Sequence, residues 1–90
     1  MTDWRQRTLE SPLAAIDAYR VGEGDIAAVQ TAIDVAAGVL ESPDRSLSDA
    51  MRQAEGELEV IRFTVSEAEQ RAVALRILDP LYSRIEAALA

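Results

Sequence analysis

The sequence predicts an all-α protein, most simply a four-helix antiparallel bundle of two helical hairpins spanning residues 1–90 as one domain. Three observations carry this. Apolar residues recur at Leu47, Met51, Ala54, Leu58, Ile61, Val65, Ala68, Ala72 and Leu75, alternating steps of 4 and 3 that keep one helix face toward a partner. Glycine and proline are few, at 4 and 3, and from Ser46 to Asp79 the only one is Gly56. The hydrophobic share is 49% but the aromatic share only 4%, so the core must be built from Leu, Ile, Val and Ala.

Taken in order, the first ten residues hold one or two helical turns, with Thr2 or Asp3 as a weak cap and Trp4 and Leu9 as the apolar residues. Ser11-Pro12 reads as a helix start, a capping hydroxyl before a proline whose missing N–H costs nothing there. Leu13, Ile16 and Tyr19 follow, and the glycines of Val21-Gly22-Glu23-Gly24 end that helix. Asp25 caps a second helix lined by Ile26, Val29, Ile33, Ala36 and Leu40. After Asp25 it carries only Asp34 as a charge, which implies cover on more than one side. Glu41 to Arg45 is a proline-marked loop, and Ser46 or Asp44 opens the third helix. On that helix Asp49–Arg52 and Glu59–Arg62 stand at i,i+3 and are expected to pair.

Thr64-Val65-Ser66 admits two readings. Ser66 with Glu69 forms a capping box, and the β-branched pair before it weakens the helix, so a break and a fourth helix are expected. The unbroken rhythm supports the alternative, a long third helix over residues 46–78 in a dimeric helical assembly. Asp79-Pro80 marks a kink or restart. Beyond it Tyr82, Ile85 and Leu89 continue the seam begun at Leu78, and Val73, Ile77 and Leu81 form a second apolar stripe. That stripe is either the wide face of a bundle helix or a dimer surface.

Composition excludes much chemistry. The chain has no Cys, His, Lys or Asn. It lacks thiolate nucleophiles and sulfur ligands, the usual general base near neutral pH, and any Schiff-base amine. No catalytic, cofactor or metal residues are expected, and the protein is read as not an enzyme. A net charge of −7 disfavours nucleic acid and anionic membranes as partners and favours a protein with a basic surface. The N-terminal residues lead into no apolar run and no span-length segment follows, so a cytoplasmic location is expected. All nine basic residues are Arg, which with abundant Ala suggests a GC-rich bacterial genome.

The expected function is therefore a small acidic interaction module of the inhibitor or immunity type, with a homodimeric assembly component as the alternative. Asp49, Glu55, Glu57 and Glu59 are the densest acidic run; Gly56, Val60 and Phe63, the one Phe, form a small apolar stripe that either packs against a second neighbour within the bundle or sets Phe63 beside the acids as a partner anchor. Trp4 is either a second anchor or a clamp holding the N-terminus to the core. Val73, Ile77 and Leu81 are the candidate dimer surface.

Overall fold

The computed structural model describes residues 3–90, with side chains from residue 4 onward. The cap expected from Thr2 or Asp3 lies outside what is described. Four helices follow one another: α1 Asp3–Arg20, α2 Ile26–Leu40, α3 Arg45–Thr64 and α4 Glu67–Leu89. Each packs against its two neighbours in a ring (α1 on α2, α2 on α3, α3 on α4, α4 on α1), giving a four-helix bundle 43 Å long and 22 by 18 Å across.

The hairpin turns form largely as the residues dictate. Gly22 takes a φ of +82°, the left-handed conformation that ends α1, and Glu23 N–H donates back to Ala18 O at 2.8 Å. The Asp25 carboxylate accepts from Ala28 N–H at 2.9 Å, capping α2. Asp44, one of the two residues expected to open α3, accepts from Leu47 N–H at 3.2 Å. Arg5 reaches the same carboxylate at 3.2 Å. The Leu47 N–H first and Arg5 second hold the Asp44 carboxyl below its ordinary value.

The break at Val65-Ser66 is present, so the 46–78 rod is not. Val65 and Ser66 leave the helical region, with ψ of 137° and 147°. The capping box does not form through the Ser66 hydroxyl, which makes no cap hydrogen bond. Gln70 does the work instead, donating from Nε2 to Arg62 O at 3.1 Å and Val65 O at 3.0 Å. It closes carbonyls that the end of α3 leaves open. Two non-helical residues also reset the helical phase. The seam is buried from Leu47 to Ile61, but Ala68 and Ala72 turn to solvent, and α4 contributes Ala74, Leu78, Leu81 and Ile85 to the core.

The helix start expected at Ser11-Pro12 and the restart expected at Asp79-Pro80 are corrected. α1 runs through Pro12 and α4 runs through Pro80. A proline inside a helix forfeits one hydrogen bond and crowds the carbonyl four residues back. Here packing outweighs that cost: Leu9, Pro12, Ile16 and Tyr19 form one buried row of α1, which a new helix at Ser11 would twist out of register. Asp79 is not a cap; it accepts from Arg20 at 2.9 Å and helps tie α4 to α1. Tyr82 strengthens that tie by donating to Asp17 at 3.0 Å.

One cluster of buried side chains joins all four helices. Small residues let α2 and α3 approach closely: the buried Ser48 hydroxyl donates to Ala37 O at 2.7 Å. The expectation that α2 is covered on more than one side holds toward α1 and α3 only, since Val35 and Val39 remain 63% and 45% exposed. No described helix is long and apolar enough to cross a membrane.

Candidate functional site

The acidic run does not form one surface. Glu57 turns toward α4 and lines a groove with Gln53, Pro80 and Arg84. Glu55 and Glu59 turn toward α2, and Asp49 is exposed on the outer side of α3. The expected partners also differ. Arg52 bonds Asp34 at 3.4 Å and approaches Glu41 at 3.8 Å, across to α2, and Arg62 donates to the amide oxygen of Gln30 at 3.3 Å. Both guanidiniums thus bond acceptors on α2 or at its end in place of the i,i+3 acids.

What the structure brings together is a four-residue polar cluster on the α2–α3 seam. Gln30 is only 7% exposed. Its Nε2 donates to Glu59 at 2.9 Å and to Glu55 at 3.1 Å, while its Oε1 accepts from Arg62. Both ends of the amide are engaged. A nearly buried amide thus fixes two carboxylates by their outer rim, which lowers the entropy they would lose on meeting a cation. The groove above them, about 410 Å³, is also lined by Thr31 and Asp34. Gln30 carried no signal in the sequence: it was one polar residue on an apolar helix, and only the α2–α3 register shows what it faces.

Phe63 lies one turn beyond Glu59 and is 73% exposed, with the Arg62 guanidinium 5.6 Å from its ring centre. Val60 beside it is also exposed. Gly56 continues this stripe on the same outer side of α3, where a Cβ would meet nothing within 4 Å. Phe63 is therefore not packed against a second neighbour within the bundle. Trp4 is 43% exposed, so it does not clamp into the core, and it stands at the opposite end of the molecule, near the α2–α3 loop that Arg5 reaches. The structure thus separates Trp4 from Phe63.

The second stripe of α4 packs within the bundle. Leu81 is a core residue, 5% exposed, and Val73 and Ile77 are half-buried against the core. Among the described residues no group of three or more Asp, Glu, His or Cys side chains could hold a metal ion, and no buried side-chain nitrogen or oxygen lacks a partner. Burial raises the Tyr19 hydroxyl above its ordinary value, against the opposing effect of Arg71. No protein-family model, curated protein or solved structure matches the chain.

Proposed function

We propose that this chain is a non-enzymatic interaction module whose α3 face binds a basic surface of another protein, neutralising or regulating it in the manner of an inhibitor or immunity protein. The observation that supports this most is the pairing of an exposed anchor with fixed charge: Phe63 projects one turn from Glu59, and Gln30 holds Glu59 and Glu55 in place. A large aromatic flanked by oriented carboxylates matches the composition of interface hot spots that meet Arg or Lys. The outward-facing Asp49 would sit on the rim. Glu57 faces the α4 groove and would contribute to the field without direct contact.

The chain, immobilised and exposed to lysate of its native cell, is expected to retain a basic protein. Phe63→Ala should weaken that complex by about 2 kcal/mol, roughly 30-fold. Because Phe63 is exposed, the variant should keep the wild-type melting temperature. Equal retention by wild type and Phe63→Ala would rule this face out.

A further inference from the structure

The outer side of α2 stands uncovered although it is built like a buried one. Its exposed residues between the helix ends are Ala28, Thr31, Asp34, Val35, Gly38 and Val39. Asp34 is the single charge, and it turns to α3, where Arg52 holds it. In a chain of 9 Arg and 16 acidic residues, the solvent side of a helix is where charges are expected to collect. On the neighbouring α1, Asp17 and Arg20 turn away from this face, to α4.

We propose that this face binds α2 of a second copy of the chain, antiparallel, about a two-fold axis. Ala28, Ala32, Val35 and Val39 step along α2 by 4, 3 and 4, the spacing of a two-helix seam. The small residues occupy the first half of the helix and the valines the second. Antiparallel pairing about the helix midpoint sets Val39 over Ala28 and Val35 over Ala32 of the other copy, large into small. Parallel pairing would set valine on valine and leave the alanines facing a gap. Gly38 adds room for close approach, since a Cβ there would meet nothing within 4 Å in the single chain.

The charges at the two ends agree with the same orientation. Arg45 borders the face beside Gly38 and Val39, on a rim it shares with Glu41, whose carboxylate is turned to Arg52 at 3.8 Å, and Glu23 and Asp25 border the other end. Antiparallel pairing brings Arg45 of each copy to the acids of its mate, whereas parallel pairing brings Arg45 to Arg45. Each copy also carries a net −7, and the one charge between the ends of this face, Asp34, is engaged by Arg52. One patch matched to itself under a two-fold is what an isologous dimer requires. At 15 residues α2 is about 22 Å long. With its α1 flank, a face about 20 Å wide offers roughly 450 Å² per copy, against about 800 Å² in a standard interface. The dimer is accordingly weak and concentration-dependent.

Sedimentation velocity of the full chain from about 1 μM to about 1 mM tests this, Kd values in that range being those of weak complexes. The sedimentation coefficient is expected to rise with concentration from the monomer toward the dimer value. Val35→Glu should raise the midpoint at least ~10-fold, and Val60→Glu, a comparably exposed site on α3, should leave it unchanged. Val39→Glu replaces Val35→Glu if the latter loses helical circular dichroism. Arg45→Glu alone should weaken association, and adding Glu23→Arg should restore it. A monomer over the whole range overturns the proposal and leaves the face to a different partner. A dimer lost with Val60→Glu but not Val35→Glu overturns it as well, and failure of the charge swap to restore association overturns the antiparallel arrangement.

Discussion

Replacing Gln30 by Leu tests how much one amide holds in place. The apolar side chain would keep the volume but leave Glu55, half-buried on the α2–α3 seam, without its donor. Hydrogen bonds to charged groups are worth about 1.5–3 kcal/mol, and solvent at the rim recovers part of that. A loss of about 1–2 kcal/mol in urea unfolding is expected; an unchanged midpoint would mean the cluster is ornamental to stability. Asp44 carries a pH signature. Its carboxyl titrates below the ordinary value because Leu47 N–H and Arg5 favour the charged form. The stabilisation is therefore complete above the unfolded value near pH 4 and is lost as pH falls through the depressed one. Asp44→Ala should cost about 1 kcal/mol in thermal melts at neutral pH, and the gap to wild type should close on acidification. A gap that stays constant to low pH would contradict this.

At the scale of the element, the turn between α3 and α4 separates two kinds of cap. Ser66 occupies the N-cap position without a side-chain bond, whereas Gln70 spans the break with two. Ser66→Ala should therefore cost less than about 0.5 kcal/mol, below the usual N-cap loss of about 1, while Gln70→Ala should cost about 1 or more. The opposite ranking in paired denaturation curves would show that the hydroxyl caps α4 in solution. This turn also shows what could be read from the chain and what could not. The break was legible because Thr64 and Val65 weaken the helix locally, and Asp25 was legible as a cap because capping depends on residues three apart. Pro12 and Pro80 misled because a proline signals the same boundary whether or not tertiary burial overrides it. The burial of Leu9, Ile16 and Tyr19 on one row is a property of the bundle, not of the dipeptide Ser11-Pro12. The phase change after Ser66 was hidden for the same reason: two extended residues leave the spacing of letters intact while rotating every later side chain.

Across the whole molecule two exposed apolar features lie on different sides, and different partners are proposed for them. Phe63 sits beside carboxylates on α3, and Val35 and Val39 lie on the side of α2 away from them. The first is proposed to meet a cationic surface and the second an uncharged, self-matching one. Of the candidate contacts read from sequence, Glu55, Glu59 and Phe63 are brought together, Glu57 and Trp4 are not, and the α4 stripe is taken up by the bundle. The separation of Glu57 follows from helix geometry alone, but the role of Gln30 needed the pairing of α2 with α3. The uncharged side of α2 was visible in the letters, and it took the assembled bundle to show that no other helix of the chain covers it.

If the oriented carboxylates of α3 draw in a basic protein as proposed, the association rate of the captured partner depends on ionic strength. A fall of at least ~10-fold is expected between about 50 mM and 500 mM salt, with the dissociation rate much less affected. An association rate that does not change with salt would contradict it.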